Sequence, residues 1–496
     1  MAHGRVSNGM KTTFLREVTL YRYRYILGYV CFTLLLFALL LLAIEQAPRG
    51  LTSAELDSAV ASVNVNVLHP VTTNVIDAPY HLLQKASIQL FGLTPTAIKL
   101  PSIVLGAIMG IGIVLMLQKW FRKNVAIITA VIVVTSVGFL TLARTGTPMI
   151  MTAFWTVMLL LGATHVLHSG KHSFLWKLFC FACVAMLAYS PFGIYPLLAL
   201  AIAGIFHPHV RYRLRHGKWW QHTVLIGLVV IILAPLVIAV ISLPSVALTL
   251  LGLDQLHQFS WQSLPAVALG IAGDLFNFTR NTVGAIVTPL FGIATTILLL
   301  LGILKLCTAR YSARSYMLFI WGFLLVPVLL LRPDMLLLVL IPSTLILAIG
   351  IETLIRQWYD LFPRNPYARI AALIPLSVLV VSIVGINMER YFYGHHYNPQ
   401  ASQFHAELPA VRDVLHTNDA DVQTRGVLVV PSDQVAFYDI LRREYPKLLI
   451  VSHNDTTPST PTIILDDAKI TPANQPKLIV TSDLSSDQHA VLLRTY

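Results

Sequence analysis

About eleven apolar runs of membrane-spanning length, with lysine and arginine gathered in every second gap between them, leave this chain few ways to fold. The first run, Ile26 to Ile44, follows Arg16, Arg22 and Arg24. No small-residue cleavage site comes after it, so it reads as an uncleaved first helix rather than a signal peptide. Further runs lie near 97–117, 125–143, 148–167, 174–190, 191–207, 222–243, 282–304, 316–331, 334–355 and 370–387. Only 12% of the 496 residues are charged, and a soluble domain carries about twice that share. Lipid must therefore be the solvent for most of the chain, and the expected fold is a polytopic α-helical membrane protein.

The net charge of +12 would suit nucleic acid if it formed one face. Instead the basic residues sit in short clusters, such as Lys119, Arg122 and Lys123, or Arg211, Arg213, Arg215 and Lys218. That is the positive-inside pattern, and it points to membrane lipids as partners and not to nucleic acid. It places the N-terminus in the cytoplasm and the C-terminus outside.

Two outward segments, Glu45–Thr96 and Leu243–Asn281, are too long for simple connectors. In the first, Thr52–Val63 and Tyr80–Phe91 read as short helices lying on the membrane surface. After Asn387 the composition becomes that of a soluble domain. Gly426–Val430, Leu448–Val451, Thr462–Leu465 and Leu478–Thr481 read as strands, with a helix over Gln434–Tyr445 capped by Ser432 or Asp433. The expected division is a transmembrane part, 1–392, with 46–96 as its first extracytoplasmic loop. A small extracytoplasmic α/β domain, 393–496, follows and is expected to fold on its own.

The spans hold almost no ionisable residues, which argues against an ion-coupled transporter. Acids and bases collect in the first long loop as Glu55, Asp57, His69, Asp77, His81 and Lys85. No metal-ligand spacing links the two histidines, so no cofactor is expected and a divalent metal has no support in the pattern. Cys180 and Cys183 form a C-x-x-C inside an apolar run, where packing is the plainer role than redox chemistry.

The stretch "GLTSAELDSAVAS" followed by "NVIDAPYHLLQKASIQLFGLTPTAIKLPSIVLG" resembles the first extracytoplasmic loop of GT-C glycosyltransferases. It is similar to the protein O-mannosyltransferase and lipid A aminoarabinose transferase superfamily. "LARTGTPMIMTAFW" resembles the short loop between the third and fourth spans, and "LRPDMLLLVLIPSTLILA" a late helix of that family. The resemblance runs over about residues 20–390. It implies transfer of a sugar from a polyprenyl-phosphate donor to an extracytoplasmic acceptor (lipid, glycan or protein) in a bacterial plasma membrane. Such chemistry needs a carboxylate for the acceptor's proton and cations for the phosphate leaving group. Carried over, the family's acidic pair falls on Ala54 and Glu55, a further acid on Asp77, and the acid of the third-to-fourth loop at or near Met149, where it is missing.

Glu55 is thus the expected general base, with Asp77 positioning a substrate. Lys85, Arg144, Arg280 and Arg332 are the candidates for the donor phosphate. Each has a plainer alternative. Thr52-Ser53-Ala54-Glu55 is a capping-box pattern in which glutamine would serve as well as glutamate. Asp77 before Ala78-Pro79 fits an N-cap, and Lys85, Arg280 and Arg332 fit interfacial snorkelling. A non-catalytic scaffold or lipid-binding relative, and a flippase of lipid-linked glycans, are the rival functions.

Overall fold

The computed structural model describes residues 19–42, 50–67, 69, 75–168, 173–206, 211–212, 219–254, 260–276, 289–308, 313–361, 371, 373–397, 405–417, 426–452, 462–465, 475–481 and 491–495. Helix α1 (Thr19–Leu41) leads to two short helices, α2 (Ser53–Asn64) and α3 (Ala78–Phe91). Then come α4 (Pro95–Trp120), α5 (Lys123–Val134), α6 (Val137–Arg144), α7 (Ile150–His168), α8 (Ser173–Leu187) and α9 (Ile194–Phe206). After α10 (Trp219–Ser242) two more short helices follow, α11 (Pro244–Leu251) and α12 (Leu264–Phe276). The bundle continues with α13 (Ile293–Thr308) and α14 (Ala313–Leu331). A 3-10 segment, Pro333–Val339, runs into α15 (Leu340–Leu361), and α16 (Leu373–Tyr397) follows.

Among the described residues six helical segments are long and apolar enough to cross a membrane. Four shorter apolar helices lie at Ile26–Leu41, Phe174–Leu187, Ile194–Phe206 and Ile293–Thr308. The run expected to form one span over 125–143 is instead a pair, α5 and α6, bent by 62°. The sequence explains the break. Thr135 Oγ1 donates to the Ile132 carbonyl at 3.1 Å, since the Ser136 N–H has turned to Val133, and Ser136 caps the next helix by accepting from the Phe139 N–H at 3.3 Å. Hydroxyl side chains replace the backbone bonds that a straight helix would have made there. Where α13 meets α15, Gly302 lies against the Ile346 carbonyl and Gly350 against that of Leu298. Any side chain at either glycine would hold the two backbones apart, the usual use of small residues in membrane packing.

The C-terminal part opens with α17 (Glu407–Thr417) and holds β1 (Val427–Val429), α18 (Val435–Tyr438), β2 (Leu449–Val451), β3 (Thr462–Leu465), β4 (Leu478–Thr481) and β5 (Val491–Thr495). The sheet order is β2-β1-β3-β5-β4, with β2, β1 and β3 parallel and the β3–β5 and β5–β4 pairs antiparallel. β5 was not expected from the sequence. The expected helix over 434–445 is the single turn α18 continued as a 3-10 segment, Asp439–Arg443. Its N-cap is Gln434, without a side-chain bond, in place of Ser432 or Asp433.

One face of the sheet packs a small cluster of its own, Val427, Val429 and Ile464, while the other face joins a core shared with the first long loop. Leu408, Val411, Phe437, Tyr438 and Leu441 pack in one cluster with Leu51, Leu56, Val63, Ile88, Leu93 and Ile98 of the loop helices and the start of α4. Leu51 and His405 exchange both backbone bonds, at 2.8 and 2.7 Å. Glu444 accepts from the Leu93 N–H at 2.7 Å while Arg412 donates to the Leu93 carbonyl, also at 2.7 Å. The expectation of an independent domain therefore meets a core that is continuous with α2 and α3.

Candidate functional site

Helices α2 and α3 lie between the sheet and the bundle, and of the loop's acids and bases Glu55, Asp77 and His81 are buried there while Asp57 and His69 are exposed. Thr52 caps α2 by accepting from the Glu55 N–H at 3.2 Å. Glu55 returns the bond through Oε2, which accepts from the Thr52 N–H at 2.7 Å and from the Thr52 hydroxyl at 3.0 Å. Its other oxygen, Oε1, accepts from the Gly146 N–H at 2.6 Å, across to the turn between α6 and α7. The side chain is fully buried. Three donors therefore already occupy the Glu55 carboxylate, two on Oε2 and one on Oε1.

Gly146 is held from its other side as well. Gln84 of α3, also fully buried, donates from Nε2 to the Gly146 carbonyl at 2.9 Å and to the Ile98 carbonyl at 3.0 Å. Its Oε1 accepts from the hydroxyls of Ser58 and Ser62, at 2.8 and 2.5 Å. A Cβ at position 146 would stand 2.8 Å from the Ile98 carbonyl oxygen, so only glycine admits this approach. Glu55 and Gln84 together clamp one peptide of the α6–α7 turn.

Asp77 has a different character. It precedes α3 with a left-handed backbone, φ 54, rare for a residue with a side chain. Its N–H donates to the Tyr189 carbonyl at 2.9 Å, but its side chain makes no cap bond. The carboxyl is 6% exposed, and Oδ1 has no hydrogen-bond partner. Burial pushes its pKa up to about 8, against which a hydrogen bond from the Ser190 side chain acts only in part. A strained, buried and half-satisfied acid is costly to keep, and such groups gather at functional sites.

The expected phosphate-binding cations are scattered. Lys85, two turns beyond Asp77 on α3, donates to the Val65 carbonyl at 2.9 Å. Arg144 ends α6, is 1% exposed and donates to the Leu39 carbonyl at 2.7 Å. Its guanidinium lies 5.5 Å from each of the Tyr391 and Phe392 rings of α16. That is a packing role deep in the bundle, not an open anion site. Arg332 is held by Asp254 at 2.8 Å and by Asp334 at 3.0 Å, and its guanidinium covers the Phe192 ring at 5.9 Å. Two carboxylates already answer its charge. Arg280 lies outside the described residues.

Several members of this arrangement were not singled out from the sequence: Gln84, Ser58, Ser62, Gly146 and Lys99. Lys99 is 1% exposed and donates to the Gly50 carbonyl at 2.8 Å. The available signal was spacing, since Ser58 and Ser62 share a face of α2, and His81, Gln84 and Lys85 share neighbouring rows of α3. Beside the turn lies an apolar cleft lined by Met149, Thr152, Phe192, Trp321, Leu337 and Ile341, among others. Met149 thus stands where the family's acid is missing. Among the described residues no three His, Cys, Asp or Glu side chains gather to hold a metal ion.

Comparison with known proteins agrees with this architecture. The model of the dolichyl-phosphate-mannose-protein mannosyltransferase family matches residues 79–238, from α3 into α10. No curated protein matches the chain in sequence. The oligosaccharyltransferase of Archaeoglobus fulgidus in the apo form is similar at TM-score 0.55 and 13% identity, over 88% of this chain and 65% of that one. This chain thus spans just under two thirds of the archaeal enzyme. The archaeal oligosaccharyltransferase AglB from Archaeoglobus fulgidus, in complex with an inhibitory peptide and a dolichol-phosphate, gives TM-score 0.50 and 14% identity over 85% and 64%. ArnT from Cupriavidus metallidurans in the apo state gives TM-score 0.50 and 12% identity over 96% of this chain and 98% of that one. With its loop helices wedged between a helical bundle and a C-terminal sheet, the chain is a multi-pass membrane protein of the GT-C glycosyltransferase fold.

Proposed function

We propose that this protein is a membrane glycosyltransferase that moves a sugar from a polyprenyl-phosphate donor onto an extracytoplasmic acceptor, with Asp77 as general base. The observation that carries the assignment is the buried Asp77 carboxyl, with one oxygen unpartnered and a pKa near 8. In the reaction the acceptor hydroxyl oxygen attacks the anomeric carbon. The bond from that carbon to the phosphate oxygen breaks, and polyprenyl phosphate leaves with the electron pair. The hydroxyl proton passes to the Asp77 carboxylate. A base with a raised pKa takes that proton with more driving force than an ordinary aspartate would. Glu55 shapes the site through Gly146 rather than touching the reacting atoms.

Lys85 is the first choice for the leaving phosphate, because it lies on α3, the helix that Asp77 opens, and its described partner is a neutral carbonyl. Arg280 is the second. The name of the matching family and the dolichol-phosphate and peptide bound to AglB support a lipid-phosphate donor and an acceptor outside the cytoplasm. The alternating basic loops support an N-terminus inside and the sheet outside, and the setting we assign is a bacterial plasma membrane.

The test is turnover of an undecaprenyl-phosphate-linked sugar in proteoliposomes. Release of undecaprenyl phosphate is expected. Binding without bond cleavage would favour a scaffold, and movement of the intact donor across the bilayer would favour a flippase.

A further inference from the structure

His81 takes no part in the chemistry above, yet its surroundings fix its protonation. Gln84 Nε2 faces two carbonyls, of Ile98 and Gly146, and only the amide nitrogen can donate to both. Its oxygen must then lie towards Ser58 and Ser62. The Ser62 hydroxyl has one hydrogen and two acceptor oxygens against it, Gln84 Oε1 at 2.5 Å and the Ser58 carbonyl at 2.8 Å. That hydrogen is spent on them. The third neighbour of Ser62 Oγ is His81 Nδ1 at 2.8 Å, and this contact is a hydrogen bond only if Nδ1 carries a proton and donates it. The chain of bonds from Gly146 to His81 therefore selects one tautomer, with the lone pair on Nε2. Nε2 has no hydrogen-bond partner among the described residues, though the side chain is 94% buried, being 6% exposed. His81 also follows Asp77 by one turn, its N–H donating to the Asp77 carbonyl at 3.1 Å, so the two residues are neighbours at the start of α3.

We infer that His81 is a further substrate-binding residue, a neutral imidazole locked as the Nδ1–H tautomer that offers Nε2 to a sugar hydroxyl beside Asp77. The role rests on the transferase reading. Burial holds the imidazole pKa down at about 4, so the ring stays neutral and remains an acceptor at physiological pH. A neutral acceptor next to the base orients a hydroxyl-bearing ring without competing for the transferred proton. The relay also explains why Gln84 and both serines are buried polar groups: each is needed to set the tautomer, as outer partners set the ring nitrogen of a ligating histidine.

The test combines nitrogen-15 NMR of histidine-labelled protein, with His81→Gln identifying the resonance, and titration with two soluble probes. The expected spectrum at pH 7 shows His81 neutral with its proton on Nδ1, and Ser62→Ala turns it into a tautomer mixture. Methyl glucoside, which has hydroxyls and no phosphate, should move the Nε2 resonance, and inorganic phosphate should leave it unmoved. His81→Asn, which keeps a donor near Ser62 but has no acceptor at the Nε2 position, should weaken methyl glucoside binding by about 10-fold, the worth of one hydrogen bond. His81→Gln, which places an amide oxygen near Nε2, should stay within about 3-fold of wild type. A proton on Nε2, or equal glucoside affinity in wild type and His81→Asn, overturns the inference. An intact tautomer and glucoside response with no turnover of the lipid-linked donor would instead overturn the transferase reading and leave a sugar-binding site.

Discussion

Glu55→Gln separates a clamp from an ordinary helix cap. In a capping box alone glutamine serves, because one amide oxygen accepts the returning N–H. Here three donors converge on the two carboxylate oxygens, the Thr52 N–H and hydroxyl on one and the Gly146 N–H on the other. Glutamine has a single acceptor oxygen. If that oxygen serves Thr52, the amide NH2 meets the Gly146 N–H, donor against donor, inside a fully buried site. A charge-assisted bond is worth roughly 1.5–3 kcal/mol, and an orphaned buried donor costs roughly 1–3 kcal/mol. The two overlap, so a loss of about 2–4 kcal/mol is expected locally, a factor of about 30 to 1,000 in the opening equilibrium. Hydrogen exchange resolved to the peptide containing Gly146 is the assay. Faster exchange there by that factor, with the far end of the bundle unchanged, is the expected result. Thr52→Ala, which removes only the cap, should cost about 1 kcal/mol and leave Gly146 protected. If Gly146 exchanges equally slowly in Glu55→Gln, the clamp does not exist in solution.

Gly146→Ala should destabilise the protein by about 1–3 kcal/mol, because its Cβ meets the Ile98 backbone oxygen at 2.8 Å and the backbone cannot swing aside. Thermal unfolding in detergent reads this as a lowered midpoint. The fragment 393–496 expressed alone should give poorly dispersed amide resonances, since seven of the 22 buried residues of its main core lie between Leu51 and Ile98 and would be missing. Well-dispersed resonances would mean the sheet can close a core without them. Reporters fused after Asn124, Gly217 and Pro363 should read cytoplasmic and those after Gly146, Gln258 and the C-terminus external, from the basic-residue asymmetry. A cytoplasmic C-terminus would contradict the orientation.

What could be read from the sequence follows from how local each feature is. The apolar runs announce helices because lipid forces every backbone group to be satisfied within its own segment. The Thr52–Glu55 box and the β-branched strands are equally local. The break at Thr135-Ser136 was hidden because an apolar run looks continuous whether or not its hydroxyls rejoin the backbone. Arg332 looked like a free cation because one of its partners, Asp254, is 78 residues away. The surroundings of Glu55 and Asp77 were hidden for the same reason. Position 55 is satisfied by a peptide 91 residues further on, while the apparent N-cap at 77 makes no cap bond, and neither fact is written near the residue.

The most direct test of the account is Asp77→Asn, measured for both turnover and stability across pH. The folded protein holds the Asp77 proton up to about pH 8, whereas the unfolded chain releases it near 3.8. Between those values the native state binds one more proton than the unfolded state, so wild-type stability falls as pH rises through this window. Asparagine removes that dependence, and at pH 8 the variant should be at least as stable as wild type. Wild-type turnover of an undecaprenyl-phosphate-linked sugar in proteoliposomes should rise with pH as Asp77 loses its proton near 8, because only the carboxylate takes the acceptor's proton. In Asp77→Asn it should fall by roughly 100-fold or more at every pH. A stable, inactive variant is the predicted result. Wild-type turnover in Asp77→Asn, or a wild-type rate that does not change between pH 6 and 9, would contradict the claim that Asp77 is the base.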